Sequence, residues 1–249
     1  MSRESRGISR SSQGHYSWRD PGGRPRYRDE VTCPGPGCCG PRCNVFDDPA
    51  ARDELKSYRE KGPDAQELEL VSALAGEGLE GATVVDIGAG VGAIGHALVA
   101  AGASQVTDVD GSPAYLAAAH EEADRLGTAE RWRFMEGDYV GLADDIGPAD
   151  VTTLGRVLCC YEDWRGLVAA STARTRRLYG VVYPVSRWWM RALAASGNAV
   201  FGLFTDKMRL YIHPDRQIDA AIRAAGFQPI YARKGLFWQT AAYRRRPTA

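Results

Sequence analysis

Thr83-Val84-Val85-Asp86-Ile87-Gly88-Ala89-Gly90-Val91-Gly92 runs an apolar segment into glycines at alternate positions. Glycine permits positive φ and lets a backbone lie against a ligand where a Cβ would collide. The apolar run before it suits a strand buried on both faces. After it, Ala93-Ile94-Gly95-His96-Ala97-Leu98-Val99 has apolar residues at helical spacing, so the glycines join a strand to a helix. Doubly wound α/β proteins place nucleotide-like ligands at such a junction, beyond the carboxyl end of the first strand.

The pattern continues outward in both directions. Strands are expected at Thr83–Ile87, Gln105–Val109, Trp132–Met135, Asp150–Leu154 and Leu178–Tyr183. Helices are expected near Val91–Ala101, Pro113–Arg125, Trp164–Ala173, Arg187–Val200 and Asp215–Ala225. This alternation implies a mostly parallel sheet covered on both faces. Phe227–Ala232 and Leu236–Tyr243, joined across Arg233-Lys234-Gly235, read as a closing antiparallel hairpin. Ahead of the core, Asp47-Asp48-Pro49 opens a helix that Gly62-Pro63 stops, and Asp64 with Glu67 caps a second one carrying Leu68, Val71 and Leu74. The expected division is a tail over residues 1–45, a helical lid over 46–80 and a core over 81–249.

Three further signals fall at strand ends. Asp110 follows the glycines by about twenty residues, where a carboxylate can accept bonds from both ribose hydroxyls of an adenosine-type ligand. Gly137-Asp138 follows the third strand and offers an acceptor for an adenine amine. The fourth strand leads into Leu154-Gly155-Arg156-Val157-Leu158-Cys159-Cys160-Tyr161. Residues 88–93 also satisfy G-x-G-x-x-A, so the glycines alone leave a nicotinamide dinucleotide open. Such domains normally continue into a second mononucleotide half, for which little chain remains.

Taken together, Asp86, the glycines, Asp110, Gly137-Asp138 and the hairpin resemble class I S-adenosylmethionine-dependent methyltransferases over roughly residues 81–243. The resemblance implies an α/β, Rossmann-like, seven-stranded sheet and S-adenosylmethionine as cofactor. Asp86, Gly88, Gly90 and Gly92 would line its methionine side, Asp110 the ribose and Gly137 with Asp138 the adenine, with Arg156 nearby. Arg156–Tyr161 and Tyr211–His213 are similar to the branch that includes magnesium-protoporphyrin O-methyltransferase, although Cys160 stands where that branch has a His.

Methyl transfer from a sulfonium needs chiefly alignment and exclusion of water, with a base only for a poor nucleophile. Candidate acceptor-side residues are Tyr161, Cys160, His213 and Arg187. A guanidinium beside Trp188 and Trp189 suits a planar carboxylate, and the imidazole of His213 suits proton transfer. Each also has an ordinary packing role open to it, as do His96, Tyr58 and Arg59. A non-catalytic, cofactor-binding scaffold protein remains the second class.

Composition narrows the partners. The formal net charge is zero, with 31 basic and 31 acidic residues, so neither nucleic acid nor an anionic membrane is expected as partner. The expected acceptor is a small molecule. Ala192–Phe204, interrupted by Ser196, Gly197 and Asn198, falls short of the ~20 residues that span a bilayer. The polar N-terminus lacks the apolar core of a secretory signal, and a cytoplasmic location follows as the expectation. Cys33, Cys38, Cys39 and Cys43 read as free thiols or as a zinc or iron–sulfur site of non-standard spacing, and no metal is assigned. Oligomeric state is left open.

Overall fold

A computed structural model describes residues 47–204 and 209–247. The expected tail and its four cysteines lie outside the described residues. Two helices come first: α1 (Asp48–Lys61) and α2 (Ala65–Ala75). The core follows as β1 (Thr83–Ile87), α3 (Ala93–Ala100), β2 (Gln105–Asp110), α4 (Pro113–Arg125), β3 (Trp132–Glu136) and α5 (Tyr139–Ile146). It continues through β4 (Ala149–Gly155), α6 (Trp164–Ala173), β5 (Thr175–Pro184), α7 (Trp188–Phe204), α8 (Asp215–Ala224), β6 (Phe227–Lys234) and β7 (Trp238–Arg245).

Local chemistry sets the boundaries of the first helices. Asp47 accepts a bond from the Ala50 amide at 3.1 Å, Pro49 lies in the first turn, and Gly62 ends α1 at φ 74°. In α2 the Asp64 carboxylate accepts the Glu67 amide at 3.0 Å, while Glu67 accepts the Asp64 amide at 2.7 Å. That reciprocal box satisfies amides that have no partner inside the helix.

The sheet has seven strands in the order β3-β2-β1-β4-β5-β7-β6. β1 to β5 pair in parallel, and β7 runs antiparallel to both of its neighbours. Val84, Val106, Val151 and Leu178 face α2 and α3. Ile87, Val109, Leu154 and Val181 face the opposite layer of α5, α6 and α8. Leu70 and Leu74 of α2 are fully buried, and a Cβ on Gly180 would sit 2.8 Å from Leu70 Cδ1, so the glycine lets α2 settle on β5. Burying a leucine side chain contributes roughly 1.5–3 kcal/mol.

One helix escapes the sequence pattern. Asp138 accepts the Val140 amide at 3.2 Å and so caps α5. β5 is also longer than expected because exposed Arg176 and Arg177 interrupt the apolar signal without breaking the strand.

Candidate functional site

The glycine turn lies at the carboxyl end of β1, with Gly88, Gly90 and Gly92 at φ 63°, 60° and 77°. Side chains are excluded there by geometry as well as by conformation. A Cβ on Gly88 would stand 2.7 Å from Val157 Cγ2, and one on Gly90 would stand 3.2 Å from a carboxylate oxygen of Glu54. Gly92 is the left-handed residue that starts α3.

Asp110, at the end of the adjacent strand, meets this turn. Its Oδ2 accepts the Gly90 amide at 3.2 Å and its Oδ1 accepts the Ser112 amide at 2.8 Å. Burial pushes its carboxyl up to about 6, against the pull of those two amides. The Gly137 amide donates to the Asp110 carbonyl at 3.0 Å, which brings the third strand end to the same corner.

Asp86, expected on the methionine side of the cofactor, has its partners within the fold. It is fully buried, accepting the Thr153 hydroxyl at 2.7 Å and the Gly95 amide at 3.2 Å, and so ties β1 to β4 and α3. Burial pushes it up to about 7. Beside it in register, Asp108 is fully buried with neither carboxylate oxygen hydrogen-bonded, and burial with the neighbouring Asp110 and Asp86 raises it well above the carboxylate range. Sequence reading passed over Asp108, because an acid inside a strand announces nothing until its neighbours are known.

The Asp86 and Asp110 carboxyls are held protonated more firmly in the folded than in the unfolded chain, so their contribution is complete below about pH 4 and is lost as pH rises toward 7. Unfolding free energy of the ligand-free protein is therefore expected to fall across that window, by roughly 1.4 kcal/mol per pH unit for each group titrating. Denaturant midpoints measured from pH 4 to pH 7 check this, and Asp86→Asn is expected to flatten the slope.

The first two helices close over the turn. Glu54 of α1 accepts the Tyr115 hydroxyl at 2.7 Å. Arg59 binds buried Glu122 at 2.7 Å and Glu121 at 2.9 Å, and Arg125 holds Glu122 from the other side at 2.6 Å. Arg59 thus fastens α1 to α4. Tyr58 is half-buried, its ring 6.0 Å from His96, which itself packs 4.4 Å from Trp132. Burial keeps His96 neutral, with its pKa lowered to about 4. Glu67 of α2 is pushed up to about 7 by burial, Glu54 and Asp86. Neither Glu54 nor Glu67 was singled out as a ligand contact, because only the tertiary fold carries them to the glycines.

On the other flank, Tyr161 is buried and donates its hydroxyl to Asp138, 2.8 and 3.0 Å from the two oxygens. His213 lies with Nε2 2.8 Å from the Tyr161 carbonyl, so that nitrogen carries the proton, and burial lowers the imidazole's pKa. The Tyr211 amide donates to the Cys159 carbonyl at 2.7 Å, which stitches residues 211–213 to the turn after β4. Cys160 is half-buried, its Sγ 3.6 Å from that of Cys159. Tyr161, Cys160, His213 and Asp138 therefore share one corner.

Two further expected site residues are Arg156 and Arg187. Arg156 adopts φ 61°, the only non-glycine residue with positive φ among those described. Its guanidinium turns to Asp64, Gln66 and Glu67 and stacks 5.1 Å from the Trp238 ring. Arg187 is exposed just before α7. A groove of about 760 Å³ between α6 and α8, walled by Trp164, Val168, Ala221 and Arg245, contains none of these residues.

Comparison with known proteins follows the same outline. Residues 84–177 match a family model described as a methyltransferase domain. A search of curated proteins found no match. Magnesium protoporphyrin IX methyltransferase from Synechocystis PCC 6803, solved with bound SAH, aligns over 82% of this chain and 86% of its own at 20% identity and TM-score 0.57. An O-methyltransferase family protein from Burkholderia thailandensis aligns over 80% of this chain and 59% of its own, at 18% identity and TM-score 0.60. A family 2 O-methyltransferase from Planctomyces limnophilus, solved in complex with apigenin, aligns over 82% and 63% at 16% identity and TM-score 0.57. At these identities the likeness is one of fold. The chain therefore shares the Rossmann-like fold of these solved methyltransferases, and its residues 84–177 match the methyltransferase-domain model.

Proposed function

We propose that this protein transfers a methyl group from S-adenosylmethionine to a small-molecule acceptor. The observation that carries the reading is the Asp110 carboxylate tied to the Gly90 amide across the ends of two parallel strands. A backbone stripped of side chains and a fixed carboxylate meet there, as an adenosyl group requires. When bound, the cofactor supplies a sulfonium methyl that is already electrophilic.

The chain's own residues do the rest. Asp110 accepts the ribose hydroxyls, and Asp138, held in place by the Tyr161 hydroxyl, accepts the adenine amine. Four carboxyl side chains, Glu54, Glu67, Asp86 and Asp108, lie near the turn, and burial holds Asp108 in its neutral form. α1 and α2 serve as the cover that excludes water from the reacting centre. Arg187, exposed and without an ion-pair partner among the described residues, takes an acidic group of the acceptor. His213, neutral near pH 7, is the candidate base if the acceptor is a hydroxyl.

Calorimetric titration with S-adenosylmethionine and with NADH tests the cofactor. Binding of NADH alone would overturn the reading. Incubation with labelled cofactor and cell extract, followed by mass identification of the labelled product, tests transfer; binding without any labelled product favours the scaffold role. Tyr161→Phe removes the hydroxyl that orients Asp138, so KM for the cofactor is expected to rise roughly tenfold with kcat little changed. A fall in kcat at constant KM would instead place Tyr161 on the acceptor.

A further inference from the structure

α7 presents an uncharged face to the outside. Its inner side is formed by Met190 and Ala194, which are buried, and by Asn198, whose amide nitrogen donates to the Leu210 carbonyl at 2.9 Å. Trp188, Ala192, Ala195 and Ala199 recur on the opposite side at helical spacing, with Leu193 beside them, and all are exposed. Trp188 is 80% exposed and Leu193 58%. Between Trp188 and Phe204 the sequence carries a single charge, that of Arg191.

The loop between β6 and β7 extends this face. Leu236 is 61% exposed and Phe237 47%. Phe237 packs edge-on at 5.5 Å against Trp189, and its carbonyl accepts the Val185 amide at 2.9 Å, so the loop is fixed to the root of α7. Single exposed apolar residues need no explanation, whereas a contiguous set on a helix and an adjoining loop marks a covered surface.

Among the described residues, the unpaired charges flanking the set are of one sign. Arg187 and Arg191 are one turn apart, both exposed, and neither has an ion-pair partner among the described residues. Nearby Lys234 is paired with Asp215 at 2.6 Å. A small acceptor inside the crevice leaves the outward face unexplained. A second copy stacked on the same face would bring arginine toward arginine. Exposed tryptophan and leucine bordered by free guanidinium groups instead match the boundary between lipid headgroups and acyl chains.

We infer that the outward face of α7, with Leu236 and Phe237, docks the protein reversibly on an anionic lipid surface. This goes beyond the proposed methyl transfer and does not depend on it. No helix among the described residues is long and apolar enough to cross a membrane, so the contact is a peripheral one. Overall neutrality does not oppose it, because unpaired cations can cluster on a chain whose charges balance.

The test uses the full chain and vesicles of phosphatidylcholine, alone or mixed with phosphatidylglycerol. Co-sedimentation with the mixed vesicles is expected, falling steeply as salt is raised, together with a blue shift of tryptophan emission. Arg191→Gln is expected to weaken partition roughly fivefold, as loss of one juxtamembrane cation does, and Trp188→Ser with Leu193→Ser at least about tenfold. Circular dichroism melting confirms that these exposed substitutions leave the fold intact. Binding unchanged in the double variant, or no binding to anionic vesicles, overturns the inference. So does a dimer in solution that Trp188→Ser dissociates, which would assign the face to a second copy.

Discussion

Asp110→Ala is expected to weaken S-adenosylmethionine binding about 100-fold, with the protein still folded. Two hydrogen bonds from ribose hydroxyls to a carboxylate are lost, each contributing about 1.5 kcal/mol, and 2.8 kcal/mol is a factor of 100 in affinity. The same carboxylate orders the turn through the Gly90 and Ser112 amides, so part of the loss comes from a looser loop. Asp110→Asn separates the contributions. It retains one acceptor for the backbone while removing the charge, and its affinity is expected to fall between the other two. Calorimetry with thermal melting measures both affinity and integrity, and an unchanged Kd in Asp110→Ala would remove the ribose assignment.

Gly88→Ala is expected to cost about 2–5 kcal/mol of stability and to abolish cofactor binding. The left-handed backbone, at φ 63°, costs an L-residue about 1–2 kcal/mol. The added methyl, 2.7 Å from Val157 Cγ2, adds an overpacking cost of about 1–3 kcal/mol. Gly127→Ala is the reference: its φ is 68°, with nothing within 4 Å of the new methyl, so it suffers only the conformational cost. Urea denaturation of both variants isolates the packing contribution. Adding Val157→Ala to Gly88→Ala should recover part of it. Equal losses in Gly88→Ala and Gly127→Ala would show that Val157 simply moves aside.

Much of this architecture is legible in the chain because it rests on local rules. α4 runs from Pro113 to Arg125 and α6 from Trp164 to Ala173, as caps and apolar spacing predict. β1 has its expected bounds because an apolar run meets a glycine turn there. α5 is not among the expected helices, since Asp138 reads as a ligand acceptor, whereas the same carboxylate also starts a helix. The candidate site divides along similar lines. Glycines and strand-end acids are visible because backbone conformation demands them. The placement of Glu54 and Glu67 beside Asp86 and Asp110 is a tertiary fact with no local signature. Arg156 shows the converse, a basic residue near the crevice in sequence whose side chain is claimed by α2. The outward face of α7 was unreadable for a simpler reason: an apolar helix reads as core until neighbours are shown to be missing from one side.

Sheet order also constrains how the molecule is made. β6 leaves the ribosome before β7, yet β7 alone pairs with β5, and β6 hangs on the far side of β7. During synthesis β5 therefore waits with an open edge, its apolar run Leu178–Tyr183 uncovered, while β6 has nothing to join. Neither the open edge of β5 nor β6 has its neighbour until Trp238–Arg245 has been made. Nascent chains halted before that segment are expected to be sticky and dependent on chaperones, more so than ones lacking the first two helices.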